Sequence, residues 1–290
     1  MNWAKVKNIL IIIFLILNSI LGYMNYQKRV AVYTLTKEQE NNIKKLLYDN
    51  NIMVYTLLPE KSPPMRKLIL VPKFIDGDEQ TKLFRTIFGD TENIAVTTIT
   101  TDQNEKQTVY SKGKAKIGFA PGYVFYRADL SAEKDSVFTK EQSKKLADEF
   151  LEKLGYTVSK MQWQFKEDNS SYIYTYYETY NGDILYNSYA DLLITSKGIE
   201  KADIYRMKPV KYTDLSRSIY APDEMLFGFM NQMKKKQGFE EILVIQKIDL
   251  GYFIESESPW RKEGEGIPYY RITLANGRNF YINAYTNQMR

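Results

Sequence analysis

The chain has 290 residues, with 40 Lys and Arg against 35 Asp and Glu, and it contains neither His nor Cys. Without Cys there is no disulfide, thiol nucleophile or lipid-modified cysteine, and without His the commonest general base and metal ligand is missing. A hydrophobic content of 44% is enough for a real core, while a formal net charge of +5, two units of it from Lys5 and Lys7 at the start, leaves no footprint for nucleic acid.

The first predicted element is a membrane helix. Ile9 to Tyr23 carry no charge. The strictly apolar run is shorter than the roughly 20 residues a span needs, and Trp3, Tyr23 and Tyr26 extend it with rings suited to the two interfaces. This predicts a short cytoplasmic segment at 1–8 and a transmembrane helix at 9–26. The rival is a cleaved signal peptide, which needs small residues just after the apolar run; neither Ile20-Leu21-Gly22 nor Gln27-Lys28-Arg29 fits. Lys5 and Lys7 nearly balance Lys28 and Arg29 across the span. The short leading segment favours a cytoplasmic N-terminus, giving a single-pass cell-membrane protein with its bulk outside. Asn18 and Ser19 are the polar residues of the run. They either hydrogen-bond to another membrane helix or sit near the outer headgroups.

Three helix starts follow. Thr36-Lys37-Glu38-Gln39 and Thr139-Lys140-Glu141-Gln142 both fit a capping box, and the third start is Pro222 with Asp223 and Glu224 in its first turn. Their apolar stripes are Ile43, Leu46 and Leu47; then Leu146, Phe150, Leu151 and Leu154; then Met225, Leu226, Phe229, Met230 and Met233. Gly155 and Gly238 are expected to end the second and third helices. Strands are expected at Ile52–Leu58 and Lys67–Phe74, with a short helix near Gln80–Phe88. Period-two alternation marks Met161, Trp163 and Phe165, and again Tyr172, Tyr174 and Tyr176, with Tyr177 on the opposite face. Asn181-Gly182 and Asn276-Gly277 read as hairpin turns in which both residues take positive φ.

The fold class expected is α+β: helices packed on antiparallel meanders behind the membrane helix. An N-terminal α+β domain would occupy 33–130. After a linker at Glu133-Lys134-Asp135-Ser136, a C-terminal domain at 139–290 would hold two helix–meander units, about 139–210 and 218–290. The pair reads as an internal repeat, with Glu255–Gly266 as a loop inserted in the second copy.

The opening Met1-Asn2-Trp3-Ala4-Lys5-Val6-Lys7-Asn8-Ile9, running into the apolar helix, resembles the YycI family. So do the single anchor, the length and the closing Asn279-Phe280-Tyr281-Ile282-Asn283-Ala284-Tyr285-Thr286. The resemblance implies an accessory regulator of the WalK/WalR (YycG/YycF) two-component system, which controls cell-wall metabolism in low-GC Gram-positive bacteria. It also implies a YycH-like companion and contact with the sensor histidine kinase, and it brings no catalytic residues, metal or cofactor.

Carboxylates are the remaining route to an enzyme. Asp76-Gly77-Asp78-Glu79 lacks the ligand spacing of a calcium loop and reads as a solvated turn. Glu255, Glu257, Glu263 and Glu265 crowd one stretch and are expected to keep it soluble. Lys234-Lys235-Lys236 either binds anionic polymer or complements a helix C-terminus, the second being favoured. Asn169-Ser170-Ser171 reads as a polar loop. Partner contacts are sought at Asn18 and Ser19, at Tyr172, Tyr174 and Tyr176, and at Trp260 and Arg261, aromatics and Arg being the usual interface anchors. The reading is a non-catalytic regulator of a sensor kinase. A carboxylate-dependent wall enzyme and a PepSY-like inhibitor of an extracytoplasmic protease are the alternatives.

Overall fold

The computed structural model describes residues 3–32, 34–89, 92–100, 106–130, 138–168, 171–235, 241–256 and 262–290. In chain order its elements begin with α1 (Trp3–Val32), α2 (Lys37–Tyr48), β1 (Ile52–Val54), β2 (Met65–Pro72) and α3 (Gly77–Phe88). Four strands follow: β3 (Ala95–Thr100), β4 (Lys106–Lys112), β5 (Ala115–Ala120) and β6 (Tyr123–Ala128). After α4 (Lys140–Lys153) come β7 (Gln162–Asp168), β8 (Ser171–Tyr180), β9 (Asp183–Thr195), β10 (Gly198–Tyr205) and β11 (Met207–Arg217). The chain closes with α5 (Pro222–Lys235), β12 (Leu243–Ile254), β13 (Gly264–Leu274) and β14 (Asn279–Asn283). Five helices and a fourteen-stranded mixed sheet make the architecture α+β.

Helix α1 contains an apolar stretch, Val6–Asn25, of mean hydropathy 2.0, long and apolar enough to cross a membrane.

Local chemistry sets the element ends. Both capping boxes form: Thr36 and Thr139 accept from the Gln39 and Gln142 amides, and each Gln side chain reaches back to the cap amide. Helix α4 stops in a Schellman motif. Gly155, at φ +82°, donates to Glu152 O, and the Tyr156 N–H donates to Leu151 O. Gly238 lies outside the described residues, as does the linker Glu133–Ser136. Asn181 (φ +52°) and Gly182 (φ +91°) close the β8–β9 hairpin as expected. The second hairpin forms by a different device. Only Gly277 takes positive φ, while Asn276 Oδ1 accepts from the Arg278 N–H at 3.1 Å, so an Asx turn does the work of the second left-handed residue. Asp76 is the N-cap of α3 and accepts from Glu79 N–H at 2.8 Å, which explains the acidic run as a helix start.

The expected inserted loop ends earlier than Gly266. Gly264, Glu265 and Gly266 are strand, paired with Leu70, Ile69 and Leu68 of β2. A Cβ on Gly266 would lie 3.0 Å from Leu70 Cδ1 and 3.2 Å from Leu68 O, so this glycine permits close strand approach.

The packing divides into two compact units, neither of them a continuous stretch of chain. One comprises Met1–Met65, Arg217–Ile248 and Ile272–Arg290; the other comprises Arg66–Ser216 and Asp249–Arg271. In the first, α2 packs on α5, and β1 runs parallel to the start of β12, with Ile52 beside Leu243. All five expected stripe residues of α5 are buried, from Met225 to Met233. In the second, α3 and α4 cover one face of the sheet. Leu83, Phe84, Ala147, Phe150 and Leu151 meet Ile117, Phe119, Leu192, Ile194 and Ile204 there. The strand order is β11-β2-β13-β12-β9-β10-β6-β5-β4-β3, with β8 also on β9 and β7 on β8. Five strands follow α4 and three follow α5.

Candidate interaction groove

The tyrosines of β8 do not form an open surface. Tyr174 and Tyr176 are 0% exposed beneath α4. The Tyr174 hydroxyl shares a hydrogen bond with Ser143 Oγ at 2.8 Å, and Tyr176 donates to Asp148 Oδ1 at 2.7 Å. Burial raises both hydroxyl pKa values, so the rings sit there neutral. Tyr172 is half-buried against Phe138. On the opposite face Tyr177 is also buried, under the Arg271 guanidinium. The expectation of partner contacts at Tyr172, Tyr174 and Tyr176 is corrected: α4 covers one face of the strand and Arg271 the other. Period two shows which rings share a face but not what lands on it.

Asn18 and Ser19 are exposed on α1, each bonded back to its own helix, Asn18 Nδ2 to Phe14 O and Ser19 Oγ to Leu15 O, both at 2.9 Å. Their side-chain oxygens stay available to another helix. Trp260 and Arg261 lie outside the described residues, and so do Lys236 and Asn169-Ser170. Lys234 and Lys235 end α5 in the exposed last turn, where cations complement the helix dipole. Of the crowded carboxylates, Glu265 pairs with Lys67 at 2.6 Å and Glu255 accepts from Tyr269, so each serves its own strands. No cluster of three or more Asp and Glu that could hold a metal occurs among the described residues.

What sequence reasoning passed over is a groove of about 520 Å³ between α2 and α5 in the first unit. Helix α2 turns Ile43 and Leu47 inward, leaving Leu46 at the margin, 38% exposed. Across from it stand Phe227, 48% exposed, and Tyr220, 40% exposed. Leu46 had been grouped with the core stripe. Phe227 falls outside the α5 stripe, and a large ring on a helix's outer side was the available signal.

The groove's polar groups are acceptors. Glu224 Oε2 takes the Ala221 N–H at 3.0 Å, and Asn287 Nδ2 donates to Glu224 O at 2.9 Å. Asp223 Oδ1 and Asn287 Oδ1 are shielded from water without a hydrogen-bond donor. Neither Lys nor Arg lines the groove. Unpartnered buried acceptors are costly, roughly 1–3 kcal/mol each, and a donor brought by another molecule relieves that cost. The arrangement suits a segment presenting an apolar side chain beside a Lys, an Arg or free backbone N–H groups.

A family model described as YycI protein matches residues 31–285. Comparison with curated proteins yields no match. Among solved structures, an uncharacterized protein from Eubacterium rectale is 13% identical with a TM-score of 0.56, the alignment covering 82% of this chain and 90% of that one. The C-terminal domain of Bacillus megaterium YpeB is 10% identical with a TM-score of 0.44, covering 75% of this chain and 98% of that domain. The first of these is a likeness of fold.

Proposed function

The chain belongs to the YycI family, and from that premise we propose that it is a membrane-anchored regulator of a WalK-type sensor histidine kinase, acting by direct contact with the kinase and a YycH-like protein. Its N-terminus is cytoplasmic, and the residues beyond α1 lie outside the cell. The observation supporting contact is the α2–α5 groove, half-exposed apolar walls around two acceptors that lack donors. A partner segment with a basic residue flanking an apolar one would fill it, while Asn18 and Ser19 would meet partner helices inside the membrane.

The test is capture of partners from native membranes by the tagged full-length chain. With Leu46→Asp and Phe227→Asp together, recovery of the YycH-like protein should fall about 30-fold or more, the equivalent of losing a hot spot of about 2 kcal/mol. Melting temperature and membrane insertion should hold, since both side chains are already part-exposed. Kinase autophosphorylation in vesicles should change in parallel. In the same assay Asn18→Leu should weaken kinase capture only partly, about 3- to 30-fold, the equivalent of about 0.6–2 kcal/mol. Undiminished capture by the Asp variants would remove the groove from the mechanism, and undiminished capture by Asn18→Leu would leave that residue a lipid-facing one.

A further inference from the structure

Three strands of the second unit end the sheet, each paired on one side only among the described residues: β3, β7 and β11. An open edge offers a row of backbone donors and acceptors, and proteins block such rows with charges or proline. Strand β11 carries Lys208, Pro209, Lys211 and Asp214. Strand β7 carries Lys166, Glu167 and Asp168, and the ammonium groups of Lys140 and Lys144 cover its Phe165 and Trp163 rings at 3.5 and 4.7 Å.

Strand β3 has no such protection. Ala95-Val96-Thr97-Thr98-Ile99-Thr100 contains no charge, no Pro and no Gly, and five of its six residues are β-branched. Every one is exposed, Val96 by 59% and Ile99 by 46%. High β-propensity, neutrality and a free edge together are the conditions for strand addition.

We propose that β3 is a self-association edge, on which two copies of this chain pair β3 to β3, antiparallel, about a twofold axis between Thr97 and Thr98. The strand's own pattern selects a second copy as occupant. This register sets Val96 against Ile99 of the other copy, Thr97 against Thr98, and Ala95 against Thr100. Aliphatic meets aliphatic and threonine meets threonine, the favoured cross-strand pairs. Moving the axis onto Thr97 sets Ala95 against Ile99 and Val96 against Thr98, and moving it onto Thr98 sets Val96 against Thr100 and Thr97 against Ile99, so both aliphatics lose their match. With no charge on the strand, twofold symmetry brings no like charges together. Six residues bury little area by themselves. Anchoring through α1 compensates by raising the effective concentration of one copy near another.

The absence of cysteine from the chain makes the test clean. Two differently tagged full-length chains, one with Val96→Cys and the other with Ile99→Cys, are co-expressed and oxidised in native membranes. Opposed residues of an antiparallel pair lie about 4.5–5.5 Å apart at Cα, within disulfide reach. The mixed pair should link at least 10-fold faster than Val96→Cys with itself, whose two positions fall on opposite faces of the joined sheet. Thr97→Lys with Thr98→Lys opposes ammonium groups across the axis and should reduce the mixed link at least 10-fold. In that lysine background an internal Val96→Cys, Tyr110→Cys disulfide should still form, because those residues are paired between β3 and β4. Equal rates for mixed and self combinations would overturn the proposal. So would linkage of the β3 cysteines to a protein of different mass in place of a second copy.

Discussion

Asp249→Ala should destabilise the folded chain by about 3–5 kcal/mol, the penalty for stranding a buried charge. The charge is Arg271, 1% exposed, whose Nη2 donates to Asp249 Oδ2 at 2.8 Å. Its Nε and Nη1 have no hydrogen-bond partner. The guanidinium lies against the Tyr177 and Tyr186 rings, 4.4 and 5.0 Å from their centroids. Ring faces return about 2 kcal/mol for a desolvated cation, well short of the several kcal/mol that desolvation costs. The carboxylate therefore decides whether this cation is tolerated. Arg271→Met removes the cation as well as its requirement, and its cost should be much smaller. Guanidinium denaturation of the full-length chain in detergent measures both. A loss under 1 kcal/mol for Asp249→Ala would mean that the two tyrosines suffice.

The second large effect is expected two residues from the groove. Phe229→Ala should cost about 3–5 kcal/mol, the usual range for emptying a buried phenylalanine site. Phe229 is 0% exposed, and its ring stands edge-on to Phe280 at 5.3 Å. Phe227→Ala on the same helix removes the same atoms from a ring 48% exposed, and stability should stay within about 0.5 kcal/mol. Thermal melts of the two variants side by side give the comparison. Equal losses would mean that Phe227 is a core residue and that the groove is an extension of the α2–α5 packing.

Devices that reach four residues or fewer were open to sequence reading. Both capping boxes, the Pro222 helix start, the Gly155 stop and the Asn181-Gly182 turn depend on bonds between near neighbours, and the sequence prints them in order. The α5 stripe was legible for a related reason, since the helical period by itself aligns Met225, Leu226, Phe229, Met230 and Met233. So was the apolar stretch of α1, whose character is one of composition. At Asn276-Gly277 the same dipeptide gave a hairpin by a different turn, because a hairpin constrains where the strands meet more than the φ of each turn residue.

Tertiary structure decided whatever depends on partners remote in the chain. Ile52 beside Leu243 in a parallel pair has no local signal, and through such pairings each compact unit is assembled from separated stretches. Alternation placed Tyr174 and Tyr176 on one face, but only the landing of α4 made that face interior. Gly264 and Gly266 read as loop until β2 arrives against them, since a missing Cβ serves a turn and a close strand approach equally well. The groove had to wait for the same reason. Leu46 and Phe227 carry ordinary helix positions until two helices distant in sequence pack side by side, and burial, which depends on every neighbour at once, then leaves these two side chains half outside.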